Sequence, residues 1–113
     1  MRPSELKDLI ARQRPGWSLE QPFYTSPGIH ALERRGWLAE QWYLIGHASE
    51  LPGPGSHVVR DILGESLIVV RDEAGAVRAF YNVCRHRGSR LCSGDGRAAR
   101  IVCPYHAWTY GLD

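Results

Sequence analysis

Cys84-Arg-His86 and Cys103-Pro-Tyr-His106 constrain this chain of 113 residues more than any other feature. Each motif presents one thiol and one imidazole, and sixteen residues, Arg87 to Val102, lie between them. Four such donors would satisfy a single tetrahedral zinc ion. Their order is interleaved, however, whereas a common zinc finger takes both cysteines from one local turn and both histidines from another. Here each turn gives one ligand of each kind, which suits a two-metal cluster with both cysteines on one metal and both histidines on the other. An iron–sulfur cluster is the expected occupant, and a mononuclear zinc site is the alternative.

The rest of the composition narrows the setting. One small domain is all that this length allows. A net charge of +2 does not argue for a nucleic-acid partner. No segment approaches the roughly 20 apolar residues that cross a bilayer; the longest aliphatic run, Leu67-Ile-Val-Val70, has the length of a strand core. Met1 to Gly16 has alternating charges and no apolar stretch of the signal-peptide kind. Two of the three cysteines belong to the motifs, which leaves Cys92 without a disulfide partner, so a reducing cytoplasm is expected. Cys92 itself reads as a small buried hydrophobe.

Along the chain, Ser4 is placed to cap a short helix carrying Leu6, Leu9 and Ile10, ended by Arg14-Pro15-Gly16. An irregular stretch, Trp17 to Thr25, follows. Ser26-Pro27 marks the start of a second helix that runs to Arg35, before Gly36, with Trp37 to Gln41 as a possible extension. Trp42 to Ile45 reads as a first strand, and Glu50 to Gly55 as a turn-rich loop. Beyond it the apolar period becomes two. His57–Leu63, Ser66–Arg71 and Val77–Tyr81 are expected strands, joined at Gly64-Glu65 and Asp72–Gly75. Arg100–Val102 and Trp108–Tyr110 then flank the second motif, and Trp108–Asp113 reads as half of a hairpin without a following partner. The fold class is mainly β: a small antiparallel domain preceded by two short helices, with both motifs on adjacent turns at one end of the sheet. The expected division is a helical extension over residues 1–41 and a cluster domain over 42–113.

The run Asn82-Val-Cys84-Arg-His86-Arg-Gly-Ser, with Cys103-Pro-Tyr-His106-Ala-Trp-Thr-Tyr110-Gly-Leu-Asp, resembles the Rieske domain of the Rieske non-haem iron oxygenases. These are the terminal α subunits of ring-hydroxylating dioxygenases and of related monooxygenases and demethylases. The resemblance extends through Ser18–Thr25, Trp42–His47 and Val77–Asn82, so it covers the chain from residue 17 onward. The upstream stretches look most like the branch acting on quaternary ammonium compounds such as betaines, choline or carnitine. It implies a Rieske [2Fe–2S] cofactor held by Cys84, His86, Cys103 and His106, and electrons passed from a reductase or ferredoxin to a mononuclear non-haem iron. That iron would belong to a catalytic domain following this chain, in a neighbouring subunit of a homotrimer. By the same resemblance the chain stops before the last strands of its domain. It would then carry electrons without activating oxygen, since no facial triad of two histidines and a carboxylate is visible. A stand-alone Rieske ferredoxin is the alternative, and a zinc-stabilised interaction module the remote one.

The resemblance also distributes roles. The two thiolates would hold a buried ferric iron and the two imidazoles an outer iron that accepts the electron. Two neutral imidazoles leave the oxidised cluster less negative than four thiolates do, which places Rieske potentials near −150 to +300 mV instead of about −400 mV. High-potential respiratory Rieske proteins carry a serine two places after the second histidine, where this chain has Trp108, so the low end of that range is expected. Arg87 and Tyr105 flank the ligands and are candidates to touch them. Trp108 and Tyr110 are expected to wall the site from water, and Gly88, Gly94 and Gly96 to form turns whose N–H groups point at sulfide. His30, His47 and His57 are too scattered for a second metal site. Arg85, Arg87, Arg90, Arg97 and Arg100 surround the motifs against a single Asp95, forming either a solvated basic face or a docking patch for an acidic electron donor.

Overall fold

The structure, a computed structural model, describes residues 2–113. The chain divides into two compact units, Met1–Tyr43 and Leu44–Asp113. In the first unit, helix α1 spans Pro3–Ala11, α2 Pro22–Thr25 and α3 Pro27–Arg35, and a 3₁₀ turn covers Trp37–Glu40. Pro3, with its fixed φ, takes the first helical position of α1, so Arg2 and not Ser4 is the capping residue. Arg2 N–H and Nε both donate to the Glu5 carboxylate at 2.8 Å. The helix stops at Ala11, ahead of the expected Arg14-Pro15-Gly16 break. The short α2 replaces part of the irregular stretch expected before Ser26. For α3 the Ser26–Pro27 signal holds: Ser26 Oγ accepts the Ile29 N–H at 3.4 Å, and Gly36 closes the last turn onto the Leu32 carbonyl at 2.9 Å.

In the second unit, β1 (Ser56–Ile62), β2 (Glu65–Arg71), β3 (Val77–Tyr81) and β4 (Gly96–Arg97) form an antiparallel sheet ordered β3-β2-β1-β4. β5 (Ile101–Val102) and β6 (Thr109–Tyr110) form a separate two-stranded ladder. Leu63 and Gly64 both take positive φ, 53° and 85°, between the paired Ile62 and Glu65, which is the two-residue turn whose twist suits a hairpin. The β2–β3 turn is held by the buried Asp72, whose Oδ1 accepts the Ala76 N–H at 2.8 Å and whose Oδ2 accepts Arg78 Nε at 2.7 Å.

Strand β2 is buried on both faces, which explains its unbroken aliphatic run. Ile68 and Val70 pack with Ile101 and Leu112, beneath Leu91, Cys92 and Tyr110. Val69, paired with Val58, packs on the other face with Leu51 and Ile45. The two ligand-bearing turns therefore stand on the Ile68–Val70 face.

One expectation changes. Trp42–Ile45 makes no ladder with any described segment and is not a strand; Trp42 and Leu44 are exposed while Ile45 packs against Leu51, Val58 and Val69. Trp108–Asp113 pairs backwards, Tyr110 with Ile101 and Thr109 with Val102, with Leu112 buried, and no described strand follows it.

Candidate metal centre

The first motif lies between β3 and β4 and the second between β5 and β6, and both are built the same way. The Cys84 carbonyl accepts the Gly88 N–H at 2.9 Å, and the Cys84 N–H donates to the Ser89 carbonyl at 2.7 Å. In the second turn the Cys103 carbonyl accepts the Ala107 N–H at 3.0 Å, and the Cys103 N–H donates to the Trp108 carbonyl at 2.8 Å. The residue four places after each cysteine is left-handed, Gly88 at φ 72° and Ala107 at φ 58°. Alanine holds that conformation at a cost that glycine avoids, so the second turn is stabilised by its surroundings.

This construction sinks the sulfurs and leaves the imidazoles out. Cys84 and Cys103 are each 3% exposed, whereas His86 and His106 are exposed, with ring centroids 4.9 Å apart. The Tyr110 hydroxyl lies 3.1 Å from Cys84 Sγ and also accepts the Arg85 N–H at 3.1 Å; towards a thiolate it is the hydroxyl that donates. Tyr110 is the main influence holding the Cys84 thiol below its ordinary value; the N–H groups of His86 and Arg87 and the Cys103 thiol add to it, against the effect of burial. The Cys84 sulfur in turn raises the Tyr110 hydroxyl. Donors aimed at a buried sulfur favour the thiolate, the form that binds metal. The donors fall into a buried sulfur pair and an outer imidazole pair, a set that would suit a two-iron cluster with two protein ligands on each iron.

Some neighbours behave as expected and others do not. Tyr105 lies against His106 with centroids 3.8 Å apart, and Trp108 stacks on His86 at 4.8 Å. Arg87 contributes its backbone N–H while its side chain stays exposed. The amides directed at the Cys84 sulfur are those of His86 and Arg87; Gly88 serves the turn instead, donating to the Cys84 carbonyl. Cys92 is half-buried under the β2 face, and desolvation raises its thiol. His47 caps a 3₁₀ turn over Ala48–Glu50 by accepting the Ser49 N–H at 3.2 Å, and His57 Nδ1 lies 3.3 Å from the Gly55 carbonyl. His30 sits exposed on α3.

The arginine patch is less uniform than its sequence. Arg90 reaches Asp61 at 3.3 Å and Ser66 Oγ at 2.8 Å, and Arg97 Nε donates to the Pro54 carbonyl at 3.0 Å. Asp95 is taken by Arg60 and by the Val59 N–H. Arg85, Arg87 and Arg100 are exposed and carry no such tie among the described residues.

One residue escaped the sequence reading. Buried Asn82 spans the gap between β3 and the loop beyond the first motif: its Oδ1 accepts the N–H groups of Leu91 at 3.0 Å and Cys92 at 2.8 Å, and its Nδ2 donates to the Cys92 carbonyl at 2.7 Å. An asparagine two places before the first cysteine was its only signal in the sequence.

A small antiparallel β domain that presents buried thiols beside exposed imidazoles is an iron–sulfur domain of the mixed-ligand kind. The comparisons with known proteins agree. Residues 41–113 match the family described as the Rieske [2Fe-2S] domain, and the chain belongs to that family. It is 45% identical over 107 residues to the glycine betaine monooxygenase oxygenase subunit of Chromohalobacter salexigens, covering 94% of this chain and 24% of that one. It is 40% identical over 108 residues to the carnitine monooxygenase oxygenase subunit of Acinetobacter baumannii, covering 95% and 29%. Among solved structures, the apo form of a quaternary ammonium Rieske monooxygenase superposes with a TM-score of 0.83 at 41% identity, covering 95% of this chain and 32% of that one. Naphthalene 1,2-dioxygenase from Rhodococcus sp. gives 0.82 at 34% identity, covering 96% and 25%. The chain thus spans about a quarter to a third of the length of these relatives. The resemblance to Rieske oxygenases and the antiparallel β fold expected from the motifs are both borne out.

Proposed function

We propose that Cys84 and Cys103 hold the inner iron and His86 and His106 the outer iron of the Rieske cluster, and that the chain is the electron-carrying domain of an oxygenase α subunit. When bound, the cluster supplies a one-electron relay from a reductase or ferredoxin towards a mononuclear non-haem iron in a catalytic domain outside this chain. The observation that carries the reading is the pair of matched turns, each lowering a cysteine into the protein and raising a histidine towards solvent.

The chain's own residues do the rest. Tyr110 and the amides of His86 and Arg87 stabilise negative charge at the Cys84 sulfur. Trp108 and Tyr105 back the imidazoles, while the ladder of β5 and β6 fixes the second turn against Ile68 and Val70. Arg85 and Arg87 leave positive charge beside His86, where an acidic donor would dock.

Similarity to glycine betaine and carnitine monooxygenase subunits supports a quaternary ammonium substrate for the whole protein. One of the matching structures is described in terms of inter-subunit electron transfer, which supports an oligomer, read here as a homotrimer. A cytoplasmic setting accords with Cys84, Cys92 and Cys103 forming no disulfide, and no described helix is long and apolar enough to cross a membrane.

Single substitutions test the ligand set. Cys84→Ser, Cys103→Ser, His86→Ala and His106→Ala should each abolish the visible absorption of the anaerobically reconstituted chain, and Cys92→Ser should leave it intact. Full absorption in Cys103→Ser, or its loss in Cys92→Ser, would refute the assignment.

A further inference from the structure

The His86 ring has an aromatic ring on two sides. The indole of Trp108, from the other ligand turn, lies 4° from parallel to it with centroids 4.8 Å apart. The His106 ring meets it edge-on at 4.9 Å and 69°. Trp108 is anchored in turn, because its carbonyl accepts the Cys103 N–H at 2.8 Å and Ala107 before it is left-handed. Burial does not account for the tryptophan. It is 48% exposed, and the apolar cluster beneath is formed by Ile68, Val70, Ile101 and Leu112 without it. A ring that remains half in water yet lies flat on an imidazole acts on that imidazole.

We propose that Trp108 is a positioning residue for His86, fixing the plane of its imidazole and setting π-electron density against it, so that the oxidised state of the metal centre is favoured. The inference rests on His86 being a cluster ligand. The face of an indole is negative and attracts cationic groups. An imidazole coordinated to iron shares the metal's positive charge and gives some of it up when an electron arrives. The stack is therefore stronger before reduction than after it. With the strength of an exposed cation–π contact, it raises the oxidised-to-reduced ratio at a fixed potential by about two- to fivefold. For a one-electron couple that ratio corresponds to roughly 20 to 40 mV.

Fluorinated tryptophans test this without changing shape, because each fluorine drains charge from the indole face. The native chain and Trp108→Phe are produced with tryptophan carrying zero to three fluorines, reconstituted, and titrated by redox potentiometry. Trp17, Trp37 and Trp42 are labelled in both proteins, so the difference isolates Trp108. The expected result is a potential that climbs with fluorine number in the native chain and stays flat in Trp108→Phe. Trp108→Leu should lie above the native potential by the same 20 to 40 mV and show altered nitrogen couplings in pulsed electron paramagnetic resonance. A potential indifferent to fluorination, or an equal slope in Trp108→Phe, would overturn the proposal even if Trp108→Leu fails to assemble. A native chain that accepts no cluster would overturn it together with the ligand assignment beneath it.

Discussion

Replacing Asn82 by alanine should unfasten the loop that follows the first ligand turn. The substitution deprives the Leu91 and Cys92 N–H groups and the Cys92 carbonyl of their partners. Leu91 and Cys92 are half-buried, so water reaches the orphaned groups in part and each costs about 1 kcal/mol, the low end for an unsatisfied polar group. The sum is about 3 kcal/mol. For a unit as small as Leu44–Asp113, each kcal/mol moves the melting temperature by about 4 to 8 °C, so a fall of at least about 12 °C follows. Thermal melts of the cluster-loaded chain, followed by visible absorption and circular dichroism together, measure it. Asn82→Asp should fall between, because its carboxylate still accepts both N–H groups but faces the Cys92 carbonyl without a donor. A drop of less than about 4 °C in Asn82→Ala would refute the claim that this side chain ties the loop to the sheet.

Tyr110→Phe removes the hydroxyl that lies 3.1 Å from Cys84 Sγ and would donate to its thiolate, and since such donors stabilise the more negative reduced state, the potential should fall by on the order of tens of millivolts in potentiometry. Asp72 sits below its ordinary value chiefly through the Arg78 hydrogen bond, helped by the Ala76 and Ala74 amides. Its folded pKa is depressed, so its stabilisation is present above about pH 3.9 and is lost as pH falls through the lower folded value; Asp72→Asn should flatten the acid limb of a melting-temperature profile. If Arg85 and Arg87 dock an acidic donor, Arg85→Glu and Arg87→Glu should slow reduction by that donor in stopped flow, and raising salt should do the same to the native chain, since exposed charges are screened beyond about 10 Å at 0.1 M. Arg90→Glu should mainly break the Asp61 contact, so an equal effect there would point to a diffuse basic face.

The two motifs were legible because metal ligation demands particular atoms at particular spacings, and the turns that present them are local. Strand β2 was legible as an unbroken aliphatic run bounded by turns, and β1 and β3 as short runs rich in β-branched and aromatic residues on either side of it. A short apolar run misled at Trp42–Ile45, because such a run becomes a strand only where another segment pairs with it. Gly96–Arg97 carries no apolar pattern; it becomes a strand only because Ser56 and His57 stand opposite. Asn82 and Tyr110 were underestimated for the same reason. Their partners lie 10 and 26 residues away, and which backbone groups they meet is decided by the folded loops and not by neighbours in sequence.

The division of ligands between two irons is tested most directly by pulsed electron paramagnetic resonance on the reduced chain labelled with ¹⁵N-histidine. The chain, reconstituted anaerobically, should contain about two irons and two acid-labile sulfides. Its rhombic signal should show two strongly coupled histidine nitrogens. Stoichiometric zinc without visible absorption, or a paramagnetic cluster with no strongly coupled histidine nitrogen, would contradict the account.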